Sequence, residues 1–285
     1  MKSLLVKSYA KINICLGIEG KRKDGYHDLD MVMLPLELHD SILINKLNAP
    51  DNFVTIDDFS NGLLNDDNVV SKAIESLSVK YKFNSKFRVN IHKVIPMEAG
   101  LAGGSSNAAF TLKGINDYLK LNASKEDLLE ISRKLGADVP YFLECVPARC
   151  QGIGEILTPI TIKNDYWVLI VKPEDGCSTK EIYRLYDENP EKPISSKDVI
   201  DALAEGDDEK LARSVFNVLE KPAISKVPEI QVIKDKMKAL GLNIVLMSGS
   251  GSSVFALSVD KKLIKKAAHV FEKEYDKVIV TKIRK

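Results

Sequence analysis

The sequence predicts a mixed α/β (α+β) chain built as two domains, and three observations lead there. Its 285 residues are about twice the length of a typical single domain, although length alone is also compatible with one large α/β domain. Strand-type alternation and helix-type spacing succeed one another along the whole chain. The composition changes near Pro159, which sets the expected boundary between residues 1–158 and 159–285. Hydrophobic residues make up 45% and charged residues 28%, so the chain has apolar surface for proper cores and is not a disordered one.

Leu4, Val6, Ser8, Ala10, Ile12, Ile14 and Leu16 fall on one face of an opening strand, and Lys7, Tyr9, Lys11 and Asn13 on the other. Such alternation predicts a half-buried strand with Lys11 and Asn13 side by side. Asp24-Gly25 marks a turn before Tyr26-His27 and a more apolar run. Residues 46–68 carry five Asp against one Lys and predict strands and exposed loops. Val69, Val70, Ala73, Ile74, Leu77 and Tyr81 have helical spacing, while Phe87, Val89 and Ile91 alternate with Arg88, Asn90 and His92 as in a strand. A glycine-rich passage from Pro96 to Ser106 leads into a helix bearing Ala108, Ala109, Leu112, Ile115 and Leu119. Ser124, with Asp127 three residues on, starts another helix that ends near Gly136. Beyond the boundary, 166–171 reads as a buried strand and 179–188, 196–205, 208–220 and 228–240 as helices. Strands 242–248 and 253–259, a helix over 261–274 and a strand over 277–283 complete the chain.

Several classes of function are excluded early. With 41 Lys+Arg against 40 Asp+Glu, net charge gives no global reason to bind nucleic acid or an anionic membrane. No run approaches the ~20 apolar residues of a membrane span, and Lys7 and Lys11 interrupt the only segment resembling a leader. Four cysteines without CxxC spacing are read as thiols of a cytoplasmic protein, and His39, His92 and His269 form no metal-ligand spacing with them.

The strand–glycine loop–helix unit over 86–119 is the strongest chemical signal. Glycines let successive N–H groups converge on an anion, the following helix adds its positive end, and Ser105 and Ser106 add hydroxyls. A triphosphate fits that chemistry. The loop is neither GxxxxGK[ST] nor GxGxxG, and the HRD and DFG kinase signatures are absent. A second glycine turn, Met247 to Ser253, is either a hairpin or another wall of the same site. Asp138, before Val139-Pro140, suits a helix cap or a general base; Lys11 suits a solvated strand position or a charge that stabilises phosphoryl transfer. Tyr26, His27 and Tyr183 suit a core or a stacking site for a planar base.

Taken together, Ala10-Lys11-Ile12-Asn13, Asp24-Gly25-Tyr26-His27, the GLAGGSSNAA core within 96–109, Leu135 to Pro140, Lys172-Pro173, Ser178-Thr179 and Met247 to Gly251 resemble the GHMP kinase superfamily. The AKIN, DGYH and LGADVP segments point to its branch acting on a cytidine diphosphate-linked methylerythritol in non-mevalonate isoprenoid synthesis. That resemblance implies a GHMP kinase two-domain fold, with a ribosomal protein S5 domain 2-like amino-terminal domain and a ferredoxin-like carboxy-terminal domain. It implies ATP as co-substrate, Mg²⁺ accompanying it, and transfer to the substrate's 2-hydroxyl. Lys11 and Asp138 would be catalytic. Asn13, Tyr26, His27, Thr179 and Tyr183 would bind the substrate. Asn65 and Asn68 would lie near adenine, and Pro96, Met97, Glu98, Ala99, Gly100, Leu101, Ala102, Gly103, Gly104, Ser105 and Ser106 would hold ATP. No protein metal ligand is expected, and the chain should be a monomer or weak homodimer. Asn107 stands where the family's helix usually has Asp, Glu98 is an added carboxylate, and Val146-Pro147 replaces a glycine pair. The alternatives are a GHMP kinase for homoserine, mevalonate or a sugar, and a non-catalytic sensor on the same fold.

Overall fold

The structure, a computed structural model, describes residues 3–48, 51–57 and 68–285. Two long strands, β1 (Ser3–Lys21) and β2 (His27–Leu47), open the chain. The turn between them is closed by Arg22 N–H donating to the Tyr26 carbonyl at 2.8 Å, with Gly25 at φ +87°. The described residues form two compact units, to both of which β1 and β2 contribute. One comprises Met1–Ala10, Leu38–Ile95 and Ala102–Cys145; the other comprises Lys11–Glu37, Pro96–Leu101 and Val146–Lys285.

In the first unit, β3 (Phe53–Asp57), α1 (Val69–Tyr81), β4 (Lys86–His92), α2 (Gly103–Leu119), α3 (Lys125–Leu135) and α4 (Val139–Glu144) follow in order. β4 pairs antiparallel with Ser41–Leu47 of β2 and parallel with β3. The apolar stripe expected on α1 is the buried one, Val70, Ala73, Ile74 and Leu77, and the alternating Phe87, Val89 and Ile91 of β4 are buried too. A Cβ at Gly114 of α2 would stand 3.1 Å from Ile44 and Val6, so this helix lies close on the sheet. Ser124 caps α3 as expected, its Oγ accepting from Asp127 N–H at 3.1 Å.

The second unit adds β5 (Ala148–Gly152), β6 (Ile156–Pro159), β7 (Trp167–Lys172), α5 (Thr179–Glu188), α6 (Lys197–Glu205), α7 (Asp208–Ser214), β8 (Phe216–Asn217), α8 (Glu220–Lys226), α9 (Glu229–Ala239), β9 (Ile244–Met247), β10 (Val254–Ser258), α10 (Lys261–Phe271) and β11 (Lys277–Lys282). β5 pairs antiparallel with Leu29–Met33 of β2 and with β6, and β8 runs parallel to Cys15 and Leu16 of β1. A four-stranded antiparallel sheet has the order β11-β7-β10-β9, the 4-1-3-2 arrangement of ferredoxin-like folds.

Two expectations are corrected. The opening strand is not half-buried throughout: from Ala10 to Ile18 both faces are covered, with Lys11 and Asn13 only 3% and 1% exposed. Loops rather than solvent meet its polar face, as when Lys11 N–H donates to the Leu101 carbonyl. The helix expected over 208–220 is broken into α7, β8 and α8. Asn217 explains the break, because its amide NH₂ donates to the Met247 and Gly249 carbonyls while its oxygen accepts from Leu219 N–H. The contacts that fix it lie some thirty residues away, where helical periodicity has no reach.

Asp30 on β2 takes two parallel bonds from Arg149 at 2.8 and 3.0 Å and two more from the N–H and Oγ of Ser196. Burial opposes its ionisation, but Arg149 and Ser196 outweigh that and hold the carboxyl below the usual range. A carboxyl depressed by folding stabilises fully above its unfolded pKa and loses that contribution as pH falls through the folded value. The melting-temperature gap between wild type and Asp30→Asn should therefore be widest near about pH 7 and close toward about pH 3. A gap independent of pH would remove this role.

Candidate active site

The polar face of β1 is where the second unit gathers its chemistry. Lys11 Nζ donates to Asn13 Oδ1 at 2.6 Å and to the Gly100 carbonyl at 2.9 Å. Ser248 Oγ donates to the same Gly100 carbonyl at 2.9 Å and accepts from Asn13 N–H at 3.3 Å, while Asn13 Nδ2 points to Met31 Sδ at 3.3 Å. The second glycine segment is the turn of the antiparallel β9–β10 hairpin, and it meets the first at the Gly100 carbonyl. Gly100 has no substitute there: its φ is +70°, and a Cβ would stand 1.9 Å from the Ser248 carbonyl oxygen. Gly249 faces the strand, its notional Cβ 3.4 Å from both Asn13 Oδ1 and Lys11 Nζ. Thr179, at the start of α5, joins the far side of that turn through a 2.9 Å bond between its hydroxyl and that of Ser250.

The remaining loop residues of this unit differ in exposure. Ala99 and Leu101 are buried, Pro96 is intermediate, and Met97 and Glu98 are exposed. Glu98 has φ +50°, and its side chain lies against Gly176, where a Cβ would meet Oε2 at 2.7 Å.

Tyr183 and His27 also come together, with ring centroids 5.0 Å apart and planes at 36°. His27 Nε2 lies 2.7 Å from Asp187 Oδ1, and Lys21 donates to Oδ2 of the same carboxylate at 2.6 Å. Burial raises the cost of charge on Asp187, yet Lys21 and His27 keep its carboxyl below the ordinary range. Tyr26 is 55% exposed at the hairpin. Asp187 was not singled out in the sequence, although its place four residues after Tyr183 on one helix face was a usable signal.

In the first unit, α2 begins at Gly103 after Ala102 in the left-handed region, with no side-chain cap on its N-terminus. Gly104 is exposed, Ser105 intermediate and Ser106 buried. The Ser106 hydroxyl donates to the Tyr9 carbonyl at 2.6 Å, so it anchors the helix to β1. Lys93 was also missed by sequence reasoning. Its Nζ is 2.9 Å from a notional Gly103 Cβ and 2.5 Å from Asp40 Oδ2. Asp40, wholly buried, further accepts from the N–H groups of Val94 and Ile95 and from Asn107 Nδ2, at 2.8–2.9 Å. Asn107 and Lys93 thus share one buried carboxylate from β2.

Asp138 stands at the N-cap of α4, but its carboxylate makes no capping bond. Asn68 does cap, accepting from Val70 and Ser71 N–H at the start of α1. Asn65 lies outside the described residues. Among the described residues no group of three His, Cys, Asp or Glu side chains could hold a metal ion, and no helix is long and apolar enough to cross a membrane.

Comparison with known proteins agrees with this layout. The GHMP kinases N terminal domain matches residues 68–144 and the GHMP kinases C terminal domain residues 199–277. A 4-diphosphocytidyl-2-C-methyl-D-erythritol kinase of Lachnoclostridium phytofermentans is 40% identical over 95% of this chain and 94% of its own. One from Clostridium beijerinckii is 38% identical over 97% and 99%. The crystal structure of a 4-(cytidine 5'-diphospho)-2C-methyl-D-erythritol kinase superposes with a TM-score of 0.83 at 28% identity, covering 99% of this chain and 100% of that one. A homoserine kinase from Cytophaga hutchinsonii, at TM-score 0.80 and 18% identity, shares the fold. The chain belongs to the GHMP kinases, in the 4-diphosphocytidyl-2-C-methyl-D-erythritol kinase family.

Proposed function

We propose that this protein transfers the γ-phosphoryl group of ATP to the 2-hydroxyl of 4-diphosphocytidyl-2-C-methyl-D-erythritol, releasing ADP, as a step of non-mevalonate isoprenoid synthesis. The observation that carries the reading is the cluster of Lys11, Asn13, Gly100 and Ser248, a buried ammonium held beside a glycine loop. Residues 96–106 are assigned to the nucleotide's phosphates: a Cβ at Gly104 would meet nothing within 4 Å, and the uncapped α2 N-terminus, with Lys93 against it, favours anions. ATP supplies the phosphoryl group, and Mg²⁺ is expected on its phosphates and water, as this ion prefers.

In this reading Lys11 stabilises charge on the transferring group, and Asp138 accepts or orients the proton of the attacking hydroxyl. Asn13 orients the methylerythritol, and Thr179 lies near it. Tyr26 and Tyr183 flank the cytosine, whose edge His27 reads, and Asn68 lies near the adenine. Held by Asp187, the His27 ring presents a fixed edge, a property that the 2.7 Å contact supports. The amino-terminal part (1–158) is assigned to ATP and the rest (159–285) to the second domain, in a cytoplasmic monomer or weak homodimer.

ADP release from Mg-ATP, measured with the cytidyl compound, homoserine, mevalonate and galactose, tests the reaction. Turnover of the cytidyl compound alone is expected; turnover of another alcohol would replace the substrate, and ATP binding without turnover would make the protein a sensor. If Tyr183 stacks on cytosine, Tyr183→Ala should weaken binding of the cytidyl compound by about 1–3 kcal/mol in calorimetry and leave ATP binding intact. Equal loss for both ligands would make Tyr183 structural.

A further inference from the structure

Lys172 ends β7 with only 5% exposure, although an ammonium so buried is costly without partners. Its Nζ donates to three backbone carbonyls of the segment that follows: Pro173 at 3.0 Å, Glu174 at 3.1 Å and Asp175 at 3.5 Å. Three carbonyl dipoles turned toward one point repel each other unless a cation sits among them. The chain therefore wraps around its own positive charge, much as a carbonyl cage wraps a bound cation.

What this segment carries gives the arrangement its consequence. The Asp175 carbonyl also accepts from Ser252 Oγ at 2.6 Å. Gly176 abuts Glu98, and Cys177 packs on Gly251, where a Cβ would come within 3.1 Å of Sγ. The next residues are Ser178, the N-cap of α5, then Thr179, bonded to Ser250, and one turn later Tyr183. The caged segment thus joins the glycine turn at 248–252 to the first turn of α5. Burial lowers the pKa of Lys172, its register partner Lys277 adds repulsion, and Glu98 and Asp175 offset part of both.

We propose that Lys172 is a positioning residue, an internal tethered cation that fixes the 173–178 segment and so sets Thr179 and Tyr183 against the second glycine turn. The inference rests on the proposed substrate site only for its kinetic consequence. Two variants, Lys172→Met and Lys172→Ala, test it in the full-length chain. Without ligand, amide exchange over 174–180 should be about tenfold faster in Lys172→Met, the scale of losing a charge-assisted bond, with α10 and β4 unchanged. The KM for the cytidyl compound should rise by a similar factor while that for ATP stays fixed.

In Lys172→Ala, ammonium ions at about 0.1 M should restore exchange protection by occupying the carbonyl cage, and tetramethylammonium, too large and without an N–H, should not. Unchanged exchange would overturn the proposal. So would a rise across the whole chain, failure to fold, or equal increases in both KM values, each of which marks a merely structural lysine. Turnover of a different alcohol by wild type would discard the substrate reading alone, since the exchange result decides Lys172 independently.

Discussion

Asp138→Asn is expected to reduce kcat by about 10²-fold or more, the usual contribution of a positioned base, with little change in the KM for ATP. The amide keeps the shape of the side chain but cannot take a proton from the substrate hydroxyl. The structure sharpens this test, because Asp138 occupies an N-cap position without making a capping bond. Loss of the carboxylate should therefore leave the start of α4 in place. A kcat within a few fold of wild type would remove Asp138 from the chemistry. A falling melting point with a matching fall in activity would make its role structural.

Asp40→Ala should carry the largest cost in stability, about 3–5 kcal/mol, the range for removing one partner of a buried ion pair. Four donors converge on this wholly buried carboxylate: Lys93 Nζ, Asn107 Nδ2 and the N–H groups of Val94 and Ile95. Removing it leaves an ammonium and two backbone donors without their acceptor in a dry place. Denaturant unfolding of the variant and wild type measures the difference, and a loss below about 1 kcal/mol would contradict the reading. Asp40→Asn should fall between them, because its amide oxygen still serves the Val94 and Ile95 amides. Since those amides lead into the glycine loop and Asn107 follows it, both variants should also weaken ATP binding.

The local elements were largely legible. Apolar spacing gave α1, the alternation at 87–91 gave β4, and Ser124 with Asp127 gave the start of α3, because each depends on neighbours within a few residues. The short pieces escaped. β8 has two residues and forms only because Cys15 and Leu16 offer it a partner. α4 and the β5–β6 hairpin are short enough that periodicity over them is indistinguishable from chance. Among site residues, those within glycine-rich or paired motifs stood out, whereas Lys93, Asp40 and Asp187 gain their chemistry from partners that only folding brings near.

The sequence by itself determined the family of this protein, because the glycine-serine loop in its order among the other motifs names these kinases. It determined the mixed α/β class too, since hydrophobic periods of two and 3.6 residues are written locally. Tertiary structure alone decided that Lys11 is buried rather than solvated, that the two glycine segments meet at the Gly100 carbonyl, and that Asn107 and Lys93 share the buried Asp40 carboxylate. Those outcomes depend on desolvation and on distances between residues as far apart as Asn13 and Ser248, and neither quantity exists until the chain has folded.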